Sequence, residues 1–138
     1  MSVIVTDSGF SRETEPKVFV PLSELPANDC GGLLVDVSSD ADPGELEGRL
    51  HCIEAIRIDF PSFADGRGMT IASRLRVMGF KGRLRAKGHV LADQFAMVRR
   101  TGSDEVEISD ELSKRQPEDQ WLFRANWQDH NYQSRLRG

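Results

Sequence analysis

Between Leu33 and Ser109 the hydrophobic period switches repeatedly between that of a strand and that of a helix, and nothing else in the chain restricts its fold as much. Leu33-Leu34-Val35-Asp36-Val37 is an apolar run of strand length with no helical repeat, and it reads as a buried strand. Ser38 to Asp42 then supply capping oxygens, Pro43 stands at a first helical position, and Glu45 and Glu47 follow where the helix dipole favours negative charge. A helix is therefore expected over Pro43 to Cys52, with Leu46, Leu50 and Ile53 toward a sheet. Ala55 to Phe60 alternates Ile56, Ile58 and Phe60 against Arg57 and Asp59, the period of a strand. Met69 to Met78 returns to helix, with Ile71, Ala72, Leu75 and Met78 on one face and Gly79 as the stop. Gly82 to Gly88 reads as strand, Val90 to Thr101 as helix ended by Gly102, and Glu105 to Ser109 as strand. The tail from Gln116 to His130 opens on Pro117-Glu118-Asp119 and turns Trp121, Leu122, Ala125 and Trp127 inward as a last helix.

Strands joined by helices give right-handed βαβ units, so the chain is expected to be a single α/β domain over 1–138. Its largely parallel sheet should hold about four to six strands, open or alternatively curled into a partial barrel. Residues 33–109 form the core and 116–132 the C-terminal helix, while residues 1–28 are an irregular arm. In that arm Val3 to Val5 and Val18 to Val20 are β-prone runs that suit a loose hairpin or an extended segment. One strand is out of character. Arg83, Arg85 and Lys87 all point the same way, so this strand lies at a sheet edge or its polar side lines a cavity.

Charge is segregated along the chain. The net charge is -4, yet residues 1–66 hold 4 basic against 13 acidic residues, 67–100 hold 9 against 1, and 101–138 hold 5 against 8. A basic quarter inside an acidic protein suits an anionic ligand or an acidic partner, and equally a solvated helix face and strand edge. No apolar run reaches the length a bilayer requires, and Met1 to Phe10 lacks a secretion signal, so a cytoplasmic protein with no membrane partner is expected.

The loop Asp65-Gly66-Arg67-Gly68 lies after a strand and before a helix, the edge at which open α/β sheets take ligands. Gly66 and Gly68 let backbone N–H groups face an anion, the helix N-terminus adds partial positive charge, and the Arg67 fork matches two oxygens of a phosphate, sulfate, sulfite or carboxylate. Arg85 and Lys87 on the neighbouring strand would close such a site. The same string also fits a plain glycine turn with an exposed arginine.

The run from Asp59 to Gln94, DFPSFADGRGMTIASRLRVMGFKGRLRAKGHVLADQ, resembles a bacterial family of uncharacterised proteins, domain of unknown function 934. The matching pattern is Asp-Phe-Pro-x-Phe-x-Asp-Gly-Arg-Gly from Asp59, an arginine helix with Arg76, then Gly-x-Leu-Arg-Ala-x-Gly from Gly82, and Asp93-Gln94 on the next helix. The likeness extends to Val20-Pro21-Leu22, Asp36 to Leu50 and Tyr132-Gln133, and so covers most of the chain. His89 stands where the family usually has Asp, and Ser103 where it has an aromatic residue. Members often lie beside genes of assimilatory sulfite reduction and carry the label of a probable oxidoreductase involved in that step. The resemblance therefore implies an accessory factor or small enzyme of sulfite and sulfate reduction, and adds Asp93 and Gln94 to the anion site.

No cofactor is identifiable. The chain has no Gly-x-Gly-x-x-Gly after a strand and neither iron-sulfur nor haem ligand spacing, so whether it is catalytic stays open. His51, His89 and His130 share no metal-ligand spacing with each other or with Cys30 and Cys52, so no metal site is expected. Cys52 reads as a small buried hydrophobe rather than a nucleophile. His89 near Asp93 fits acid-base chemistry or helix capping. Trp121 and Trp127 are too far apart for one helical face, which leaves one for a homodimer or partner contact. Two functions are carried forward: a small oxyanion ligand at Asp65 to Gly68, or a docking module whose basic 67–100 segment binds an acidic partner, such as a sulfite-reduction protein. Nucleic acid ranks last, because Phe80 and Phe95, the aromatics of that segment, both read as buried and offer no stacking platform.

Overall fold

The structure is a computed structural model that describes residues 2–12, 18–24, 32–61 and 66–124. Seven strands form one open sheet: β1 (Ser2–Thr6), β2 (Gly9–Ser11), β3 (Val20–Pro21), β4 (Leu33–Val37), β5 (Ile53–Phe60), β6 (Arg83–Gly88) and β7 (Glu105–Ser109). Their order is β2-β1-β7-β6-β5-β4-β3, parallel from β3 through β7 and antiparallel where β1 meets β7 and β2. Four helices accompany them: α1 (Arg67–Val77), α2 (Phe95–Arg100), α3 (Asp110–Arg115) and α4 (Glu118–Arg124).

The steps from β4 to β7 all move one strand over in the same direction. Right-handed crossovers then put every connecting segment on the same face, so among the described residues this sheet has one helix-covered face and one without helices. Val35, Val37, Ile56, Ile58, Leu84, Ala86, Val106 and Ile108 face the covered side, where Leu46, Leu75, Phe95 and Trp121 fill the core. With a period of two, the residues between them, Asp36, Arg57, Arg85, Glu105 and Glu107, face the other side. This removes the edge reading of the arginine strand. β6 is fourth of seven, and its polar side is turned to the helix-free face.

The N-terminal arm differs from expectation in its pairing. Val3 to Val5 turn back onto β2 through Asp7-Ser8, while Val20 joins β4 as β3 at the opposite edge. β2, three residues long, is too short for a period to register in sequence. The helix expected over Pro43 to Cys52 is two 3-10 turns, Pro43–Leu46 and Leu50–Cys52. Its start forms as read, with Asp42 Oδ1 accepting from the Gly44 N–H at 2.9 Å, but Gly48 at φ +83° interrupts it. Val90 to Thr101 likewise resolves into a 3-10 turn, Ala92–Gln94, followed by α2. α1 and α2 both stop at the expected glycines, Gly79 and Gly102. In α4, Trp121 is fully buried edge-on to Phe95, whereas Leu122 is exposed rather than inward; Ala125 and Trp127 lie outside the described residues.

Candidate functional site

The helix-free face carries a chain of ion pairs across four adjacent strands. Arg57 Nε and Nη2 donate to the two Asp36 carboxylate oxygens at 2.6 and 2.7 Å, and its Nη1 reaches Glu107 at 3.3 Å. Arg85 donates to the same Glu107 oxygen at 2.9 Å and meets Glu105 at 3.3 Å, and Arg83 Nε closes on Glu105 at 2.6 Å. Phe19 lies over the row, its ring centre 4.4 Å from the Arg57 guanidinium and 5.4 Å from that of Arg85. The hydrogen bond to Asp36 is the main reason Arg57 holds its proton more tightly than a free guanidinium, and the bond to Glu105 does the same for Arg83. Among the described residues three arginines face three carboxylates, so the charges of the row balance.

Other arginines of the basic segment are engaged in the same way. Arg74 pairs with Asp42, Arg76 with Asp104, and Arg99 with Asp7. Charges that are segregated along the chain are therefore interleaved in space.

At the carboxyl ends of β3 to β6 the polar face opens into a cleft of about 400 Å³, a size that suits a small ligand. Pro21, Leu22, Val37 and Ala41 give it apolar walls, and Asp36, Ser38, Glu45, Asp59 and Lys87 give it polar ones. Asp59 and Lys87 are register partners on β5 and β6, and both are exposed. Neither makes a hydrogen bond or an ion pair among the described residues, although the charged side chains beside them on the same face are all paired.

The residues expected to form one anion site are distributed over three places. Asp65 lies outside the described residues. Gly66 caps α1 with no side-chain hydrogen bond, and Arg67 is its exposed first residue. Near this turn the Asp40 carboxyl is held below the usual range, first by the Ser38 hydroxyl at 2.6 Å and, as a smaller effect, by the Arg67 charge. Ser38 and Ala41, which line the cleft, flank Asp40, so the Arg67 charge acts on this wall although Arg67 is not itself a lining residue. Gly68 is buried, and a Cβ there would come within 2.6 Å of the Phe60 ring, so packing rather than a ligand accounts for this glycine. Lys87 belongs to the cleft. Arg85 is enclosed in the ion-pair row and lines a second cavity instead. Asp93 lies beside Asp119, Gln120 and Phe123 of α4, and Gln94 Oε1 accepts from the Leu91 N–H as a cap. The separation follows from topology, because α1 lies on one face of the sheet while Arg85 and Lys87 project from the other.

Asp36, Ser38, Glu45 and Asp59 are cleft residues that the sequence reading did not select. The one available signal was position: Asp36 interrupts an apolar strand near its carboxyl end, and Asp59 does the same in β5. Among the described residues no group of three His, Cys, Asp or Glu side chains could hold a metal ion, and no helix is long and apolar enough to cross a membrane. Cys52 is buried and is not a free thiol. His89, exposed at the end of β6, places Nδ1 3.3 Å from the Phe60 carbonyl oxygen.

No curated protein and no solved structure matches the chain. A family model described as bacterial protein of unknown function does match, over residues 34–138, a span that includes β4 to β7, the ion-pair row and all of the cleft except its Pro21, Leu22 and Ser23 wall. By that match the chain belongs to DUF934.

Proposed function

We propose that the chain binds a compact oxyanion-bearing ligand in the cleft at the carboxyl ends of β3 to β6, and serves sulfite or sulfate reduction in the cytoplasm as an accessory factor or small enzyme. The observation that carries the binding is the unpaired couple Asp59 and Lys87 beside a row of fully paired charges. Beside neighbours that are already neutralised, two exposed charges with no partner among the described residues are available to a ligand. The Lys87 ammonium receives the oxyanion as a point charge, and Asp59 accepts a hydrogen bond or a proton from the other end of the ligand. Asp36 is held bidentate by Arg57 and serves as fixed wall, while the α1 N-terminus with Arg67 extends the positive rim. The apolar walls favour a ligand with an apolar body over a bare ion, which places adenosine phosphosulfate ahead of sulfate among the candidates. The pathway assignment rests on the family resemblance alone.

Calorimetry with sulfite, sulfate, phosphate and adenosine phosphosulfate tests the binding. Heat from at least one of them, lost in Lys87→Ala and weakened in Arg67→Ala, is expected; no heat from any, or unchanged affinity in Lys87→Ala, refutes the cleft. A deletion strain that grows on sulfide but not on sulfite supports the pathway, and normal growth on both removes it. Docking of an acidic partner through the basic segment has less support, since Arg74, Arg76, Arg83, Arg85 and Arg99 each already face a carboxylate.

A further inference from the structure

The ion-pair row has a second end. At the amino ends of β5, β6 and β7, on the helix-free face, a cavity of about 320 Å³ is lined by Ile4, Thr6, Ser11, Phe19, Ala55, Arg83, Arg85 and Glu105. Its walls are mainly apolar, through Ile4, Phe19 and Ala55, and Thr6 and Ser11 add hydroxyls. Arg83 is the charged group at its opening. Its side chain is 58% exposed and is held by one bond, Nε to Glu105 at 2.6 Å. Glu105 itself is buried and also engaged by Arg85, so it fixes the Arg83 guanidinium in place. The two Nη groups of Arg83 bond no described residue, which leaves one edge of a planar, pre-oriented fork available beside an apolar hollow.

We infer that this cavity is a second ligand site, separate from the cleft, for a small organic monocarboxylate whose apolar body enters between Ile4, Phe19 and Ala55 while its carboxylate takes the Nη edge of Arg83. Three features select this class. The fork matches two oxygens of one anion. The row behind it is neutral, so a single negative charge is matched by one guanidinium edge and a doubly charged ion is not. The walls recognise a hydrocarbon body, which an inorganic ion lacks.

The test is a ¹H–¹⁵N NMR titration of the full chain with hexanoate and benzoate, using hexanol as the uncharged control. Saturable shifts at the Thr6, Ser11, Ala55 and Arg83 amides are expected with both acids and not with hexanol. Arg83→Gln should weaken binding about ten-fold or more, as loss of a charge-assisted contact does, and Lys87→Ala should leave it unchanged. Arg83→Lys keeps the charge but loses the fork, and gives an intermediate affinity should Arg83→Gln fail to fold. Absence of saturable shifts at these amides, equal binding of hexanol, or wild-type affinity in both Arg83 variants overturns the inference. Loss of binding in Lys87→Ala assigns the acids to the cleft and also overturns it. None of these results counts against the cleft reading.

Discussion

Removing Arg85 and Glu107 together should harm the protein less than removing either one. The Arg85 side chain is 7% exposed and that of Glu107 8%, so solvent screening gives little relief to whichever is left behind. Arg85→Met deprives Glu107 of its 2.9 Å partner and leaves the longer 3.3 Å contact to Arg57 in the row, while Glu105 keeps Arg83 at 2.6 Å. One buried carboxylate is then poorly compensated. Breaking such a pair costs about 3–5 kcal/mol, and the lower end applies because Glu107 retains one contact. Glu107→Met takes from Arg85 its 2.9 Å partner and leaves the longer 3.3 Å contact to Glu105 in the row, a similar loss. In the double variant two complete pairs survive, Asp36 with Arg57 and Glu105 with Arg83, and the vacated centre is filled by apolar side chains. Its loss should be about 1 kcal/mol or less, which makes the coupling between the two sites several kcal/mol. Urea unfolding with unchanged m-values measures all three. A double variant as unstable as the sum of the single ones would refute the row as an electrostatic unit.

Gly68→Ala drives a methyl into the Phe60 ring and should cost about 1–3 kcal/mol, whereas Gly66→Ala, whose Cβ meets nothing within 4 Å, should leave the melting temperature nearly unchanged. Arg76 donates to the carbonyl oxygens of Gly102, Phe80 and Gly82 and to Asp104, tying the end of α1 to two loops. Arg76→Met leaves those acceptors unserved and should destabilise by about 2–4 kcal/mol in the same unfolding assay. The folded Asp40 carboxyl titrates below its ordinary range, so its stabilising contribution is present at neutral pH and is lost as pH falls through the folded value. Carboxyl NMR titration should show the Asp40 value rising toward normal in Ser38→Ala and by less in Arg67→Ala; no change in Ser38→Ala would contradict the hydrogen bond as its cause.

Strand and helix periods were readable where they ran long. β5, β7 and α1 fall where alternation and 3.6-residue spacing put them, because each has one face in the core. α3 escaped notice because β7 runs straight into it: Ser109 is both the last strand residue and the helix cap, accepting from the Leu112 N–H at 3.1 Å. The polar side of β6 was also visible in sequence, but its place was not. Alternation says that three basic side chains share a face, and only the strand order says that this face belongs to a central strand. The pairing of the basic side chains is hidden from the sequence for a related reason. Asp36 meets Arg57 across 21 residues, Arg83 meets Glu105 across 22, and Arg99 meets Asp7 across 92. Local charge balance cannot register neutralisation at such separations, and it reads a paired arginine as an available one.

The direction of winding connects these points to function. A sheet wound one way leaves a whole face without helices, and an apolar surface of that size would associate with other chains. A row of salt-bridged side chains lets the face stay open without that hazard, and it also sets a rigid, neutral floor. Beside such a floor stand Asp59 and Lys87 at the carboxyl ends of the strands, without a partner among the described residues, and at the amino ends Arg83, paired with Glu105 through Nε, keeps its Nη edge open. Because the interior of the row is neutral, either end can take a ligand without burying a net charge beneath it. Lys87→Ala should therefore leave the fold and the opposite site intact, Arg83→Gln should leave the cleft intact while destabilising the fold through its buried partner Glu105, and breaking the middle at Arg85 should disturb both sites.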